Sequence, residues 1–99
     1  MGVHEKRGET WDTYLVEHYG PGSSVETLRR VAGAVRRTTA EMTRRGQSVR
    51  YVRSTIVPGD EAFMATFEAT SEALVRDAYA RAGVALARIS RAIQPDGRR

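Results

Sequence analysis

The chain has 99 residues, 40% of them hydrophobic and 28% charged, with a formal net charge of +4. That is material for one domain with a modest core, and no run of about 18 apolar residues offers a membrane span. The absence of cysteine excludes disulfides, thiolate metal sites and thiol nucleophiles.

Residues 1–11 are polar, contain glycine and follow no period, so they read as a loose tail whose end Trp11 anchors. They carry neither the apolar stretch of a signal peptide nor the hydroxyl residue of a myristoylation signal, and the expected compartment is the cytoplasm. The folded domain is expected over residues 12–94, followed by a short polar tail over 95–99.

Thr13–Tyr19 is rich in β-branched and aromatic residues and reads as strand 1, stopped by Gly20-Pro21-Gly22. Ser23 and Glu26 are spaced as a capping box that opens helix 1. The helix is expected to reach about Arg45, with Gly46 as its left-handed stop. Val25, Leu28, Val31, Ala32, Val35, Thr39 and Met42 fall on one arc, and Arg29, Arg30, Arg36, Arg37 and Arg44 fall on the other. Glu26 with Arg30 and Glu41 with Arg45 are i,i+4 pairs in the favourable order. The arginine stripe reads most simply as a solvated outer face.

Val49–Val57 and Ala62–Ala69 read as strands 2 and 3, joined by a short hairpin connection at Pro58–Glu61. Thr70 and Ser71 cap helix 2, which runs from Glu72 to about Ala82 with Leu74, Val75, Ala78, Tyr79 and Ala82 inward. Glu72 with Arg76 and Asp77 with Arg81 repeat the charge pairing of helix 1, and Gly83 ends the element. Arg88–Ile93 reads as strand 4.

The resulting order, β-α-β-β-α-β, is the ferredoxin-like α+β arrangement. Right-handed crossovers predict a four-stranded antiparallel sheet ordered 4-1-3-2, with both helices on one face. The other face is then bare. Alternation assigns Leu15, Val52, Ile56, Phe63, Ala65 and Phe67 to the covered side. It turns Tyr14, Val16, His18, Tyr51, Arg53, Thr55, Met64, Thr66 and Glu68 to the bare side. The expected cross-strand neighbours are Thr55 with Met64, Arg53 with Thr66, and Tyr51 with Glu68. Strand 1 would set His18 near Met64, Val16 near Thr66 and Tyr14 near Glu68.

Tyr14, His18, Tyr51, Arg53 and Glu68 are therefore the candidate ligand-binding residues. His18 is the natural acid–base group or metal nitrogen, because the only other histidine, His4, lies in the tail. Its plainer role is a strand-end residue bonded to backbone or buried in a dimer contact. Arg53 would hold an anionic group, and Glu68 would act as a base, a metal oxygen ligand or simply a cross-strand partner. Catalytic candidates are thus His18, Arg53 and Glu68. Strand 3 lacks the basic residue, glycine and aromatic spacing of an RNA-recognition signature, which argues against nucleic acid. No glycine-rich phosphate loop and no serine triad can be assembled.

The segments Tyr14–His18, Phe67–Ser71 and Arg81-Ala82-Gly83 followed by Arg88-Ile89 resemble a family of small ferredoxin-like domains. The family is common in actinobacteria and includes a streptomycete nickel-binding protein. The resemblance covers about residues 13–93. It implies a homodimer whose sheets or sheet edges meet, and a divalent metal, nickel first, as the cofactor to test. His18 falls at the strand-1 histidine of the nickel-binding member. The helix-2 histidine of several relatives is absent here, where Asp77-Ala78-Tyr79 stands instead. One histidine in the folded part offers few nitrogen ligands. Two further readings stay open: a small cofactor-free enzyme of the oxygenase, isomerase or cyclase type with a pocket around His18, and a structural or regulatory interaction module.

Overall fold

The computed structural model describes residues 10–93 and 95. His4 and most of both expected tails lie outside the described residues. The elements are β1 (Asp12–Tyr19), α1 (Val25–Arg44), β2 (Val49–Val57), β3 (Ala62–Ala69), α2 (Glu72–Ala82) and β4 (Arg88–Ala92). A single 3-10 turn, Pro58–Asp60, joins β2 to β3. The four strands form one antiparallel sheet in the order β2-β3-β1-β4, the expected order read from the opposite edge. No helix among the described residues is long and apolar enough to cross a membrane.

Local chemistry sets the element ends. Ser24, not Ser23, is the N-cap of α1, and its hydroxyl accepts from the Thr27 amide. The capping box expected one residue earlier gives way because Gly20-Pro21-Gly22 already turns the chain, with Ser23 N–H donating to the Gly20 carbonyl. Ser71 caps α2 in the same way through the Leu74 amide. Gly46 and Gly83 take positive φ values of 90° and 72°, the left-handed exits that only glycine makes without strain. Strand 4 stops at Ala92, one residue short of expectation, and Ile93 is 84% exposed.

Among the described residues one non-glycine shares that region. Glu61 has φ 51° and closes the β2–β3 connection. Its carbonyl accepts from the Gly20 amide and its carboxylate from the Gly22 amide. Two turns from distant parts of the chain are thereby tied, which offsets the cost of the left-handed backbone.

The core lies between the helices and one sheet face. Leu28, Ala32, Val35 and Met42 of α1 and Val75, Ala78 and Tyr79 of α2 meet Val16, Val49, Phe63, Ala65 and Phe67. Thr39, buried among them, bonds back to the Val35 carbonyl and so hides its hydroxyl. The i,i+4 pairs Glu41–Arg45, Glu72–Arg76 and Asp77–Arg81 form as expected. Arg30 instead reaches Thr27 at the helix start.

Two face assignments are corrected. In β1, Tyr14, Val16 and His18 stand opposite Phe67, Ala65 and Phe63 and therefore face the helices. Leu15 stands opposite Thr66 and belongs to the bare face, with Thr13 and Glu17 beside it. The reason is Glu17. Had Leu15 pointed inward, the Glu17 carboxylate two residues on would have followed it under the helices, an unpaired buried charge. In β2 a bulge separates Tyr51 from Arg53, leaving Val52 as the extra residue. Beyond it the expected neighbours hold: Arg53 is opposite Thr66 and Thr55 opposite Met64. Before it the strand is inverted, so Arg50, rather than Tyr51, faces Glu68, and Tyr51 turns inward against Phe67.

Candidate functional site

The sheet divides the predicted constellation in two. Tyr14, His18 and Tyr51 are on the helix-covered side, while Arg53 and Glu68 are on the bare side. The three catalytic candidates, His18, Arg53 and Glu68, are accordingly not brought together.

On the covered side, Tyr14 is 6% exposed and packs into the core. Burial, followed by the nearby Asp12 and Glu72 carboxylates, pushes its phenol above the usual tyrosine range. Tyr51 sits edge-on to Phe67 with ring centres 5.4 Å apart, a favourable aromatic geometry. His18 lies near the strand end, half-buried, its ring tilted 32° to Phe63 at 5.0 Å. Its Nδ1 is 2.6 Å from the Ala85 carbonyl. A carbonyl can only accept, so Nδ1 carries the hydrogen, and in the neutral ring Nε2 keeps its lone pair. That is the tautomer a ligand or acid–base histidine adopts when a backbone carbonyl orients it. It also pins the loop before β4 to the end of β1.

The bare face has a different character. Leu15, Met64, Thr66 and Ser90 occupy its middle, all partly exposed. Charged residues surround them. Arg50 Nη2 is 2.5 Å from Glu68 Oε1, and the Arg50 guanidinium lies 5.1 Å from the Trp11 ring centre. Glu17 accepts from the Tyr19 hydroxyl at 2.8 Å and faces Arg88 Nε at 3.9 Å. That bond to a carboxylate, more than anything else, raises the Tyr19 phenol above its ordinary value. Arg53 has no carboxylate partner among the described residues.

Alternation alone missed Leu15, Glu17, Tyr19, Arg50 and Arg88 as members of this face. The signal was present: Thr13 and Glu17 flank Leu15 at the same parity, so two polar residues outvoted one leucine. Among the described residues no group of three or more histidines, aspartates or glutamates is placed to hold a metal ion. The described residues of one chain therefore do not compose a nickel site, and His18 supplies the one imidazole among them.

Element order, sheet topology and one uncovered face together define a ferredoxin-like α+β domain whose free surface is the face of its sheet. Residues 14–91 match the family model described as nickel responsive protein SCO4226-like, and the chain belongs to that family. Comparison with curated proteins and with solved structures gives no match.

Proposed function

We propose that this chain is a homodimeric binding protein whose two bare sheet faces meet, and that it holds a small ligand at that seam or a divalent metal at His18 on the covered side of the sheet. The observation that carries the reading is the layout of the face: Leu15 and Met64 at its centre, ringed by the Arg50–Glu68 and Glu17–Arg88 pairs. An apolar centre with a polar rim is the anatomy of a protein interface. The family's description as nickel responsive supports a divalent metal as the first cargo to test.

The metal part of the reading turns on His18. Its Nε2 is the one described imidazole nitrogen with a free lone pair in the neutral ring, and the bond to Ala85 holds the ring in one orientation. Glu17 and Glu68 lie across the sheet from His18 and are paired with Arg88 and Arg50, so neither adds oxygen to an ion held there. An ion at His18 therefore needs donors beyond one chain's described residues, and because His18 faces away from the bare-face seam, the cargo and the pairing are tested separately.

Sedimentation velocity on the full chain tests the pairing. The protein is expected to run at twice the 11.0 kDa of one chain. The Leu15→Glu/Met64→Glu double variant is expected to run as a folded monomer. A wild type that stays monomeric at high concentration overturns the reading. Equilibrium dialysis against nickel tests the cargo, with uptake expected for wild type and lost in His18→Ala. Equal uptake by both proteins removes His18 from the site.

A further inference from the structure

A second candidate site lies away from the bare face, at the outer edge of the sheet. β2 is an edge strand, and α1 runs beside it. Between them is an open cleft of about 410 Å³ lined by Arg36, Ala40, Thr43, Arg44, Arg50, Tyr51 and Val52. The volume falls in the range that small molecules occupy.

The lining has two parts. Ala40, Tyr51 and Val52 supply an apolar wall and Arg36 and Arg44 of α1 the basic side, while Arg50 borders the cleft from a strand position whose guanidinium is engaged by Glu68 on the bare face. Among the described residues no carboxylate lines the cleft. Arg50 and Arg44 each have one carboxylate partner elsewhere, Glu68 and Glu41. Arg36 has none among the described residues. A cation at an apolar wall, without a counter-charge of its own, is arranged to receive one from a ligand.

The walls are held in place before any ligand arrives. Thr43 Oγ1 lies 2.9 Å from the Thr39 carbonyl and 2.6 Å from that of Val49, which locks the end of α1 to the start of β2. Tyr51 is fixed edge-on against Phe67. Val52 is 39% exposed because the bulge displaces it from the ladder. The bulge also selects the occupant. An added peptide strand needs a continuous edge to pair with, and a bulge interrupts it. A compact ligand has no such requirement.

We propose that this cleft binds a small organic anion: an anionic oxygen head group, carboxylate or phosphate monoester, on a flat apolar body. The head pairs with Arg36 and is seconded by Arg44; the body lies against Tyr51 and Val52. Only Arg50 belongs to both this cleft and the bare face, so the site does not depend on sheet pairing.

The test is an amide-resolved NMR titration of the full chain with phenyl phosphate and with benzoate. Phenol serves as the body without charge, and inorganic phosphate as the head without body. Saturable shifts are expected at Ala40, Thr43, Arg44, Tyr51 and Val52 with at least one of the two organic anions. Phenol and inorganic phosphate should each bind about tenfold more weakly or worse, since each lacks half of the interaction. Arg36→Gln should weaken binding about tenfold, the usual scale for a lost charge-assisted hydrogen bond. Arg29→Gln removes the same charge from an exposed α1 position outside the cleft and should leave binding unchanged. The variants' own spectra report whether they remain folded. Absence of saturable shifts at those amides, an equal loss in Arg29→Gln, or inorganic phosphate binding as tightly as phenyl phosphate would each overturn the proposal.

Discussion

On the helix-covered side of the sheet, Tyr14, Val16, Phe63 and Phe67 are at most 6% exposed. Their immediate strand neighbours on the bare side, Leu15, Glu17, Met64 and Glu68, all keep contact with solvent. The same strands thus supply one surface that is closed and apolar and another that is half-apolar and charged. Stability should be concentrated on the first and recognition on the second. Substitutions at adjacent residues should therefore have effects of different kinds, and that separation can be attacked from either side.

The largest effect is expected at Phe67, fully buried where Tyr51 and Tyr79 both meet it. Phe67→Ala should cost about 3–5 kcal/mol in urea unfolding, a large part of the stability of a domain this small. A loss below about 1 kcal/mol would show that the covered face is not the principal source of stability.

A smaller effect of opposite sign is expected at Tyr79. Its hydroxyl is buried without a hydrogen-bond partner among the described residues. Burial, with a lesser contribution from Tyr51, raises its phenol well above the ordinary value of 10.0. The fold favours the neutral ring, so its stability is intact below the ordinary value and falls as pH rises through it, where the unfolded chain ionises first. Tyr79→Phe should gain about 1 kcal/mol and flatten that alkaline decline. Thermal melts of both proteins between neutral pH and the alkaline range measure it. An identical decline in the variant would assign the effect to another group, with Tyr14, also raised, the next to test.

The smallest effect is expected on the bare side. Glu68→Gln removes an exposed partner of Arg50 and should change monomer stability by less than about 1 kcal/mol. Measured in the Leu15→Glu/Met64→Glu background, this isolates the single chain from any pairing. A loss comparable to that of Phe67→Ala would erase the distinction between the two faces.

Much of this architecture was legible in the residues. Helix stripes, glycine exits and hydroxyl caps each leave a local mark, and the element order follows from them. Which way each strand faces was less legible, because it depends on single-residue register. Strand 1 has apolar residues on both parities, and reading Leu15 as core ignored the cost of burying Glu17. Strand 2 carried a clue in its spacing: Val49 and Tyr51 are odd positions, whereas Ile56 is even, so one residue between them had to be extra. The candidate site suffered most, since two such slips moved Tyr14, His18 and Tyr51 across the sheet from Arg53 and Glu68. The cleft beside β2 was not legible at all. It joins residues of α1 to residues of β2 through packing that no local pattern encodes.

The extra residue in β2 has a consequence for how this strand tolerates change in length. Val52 acts as a spacer that exchanges inside for outside along a single strand. Deleting it would leave the connections at both ends intact and would close the ladder, with Arg53, Tyr51 and Arg50 in unbroken alternation opposite Thr66, Phe67 and Glu68. Regular pairing of the full-length strand would instead set Val52 against Phe67, Tyr51 against Glu68 and Arg50 inward against Ala69. Deleting Val52 at this exposed edge should therefore cost far less than truncating a core side chain, because the bulge is where the strand can lose a residue without any side chain changing face.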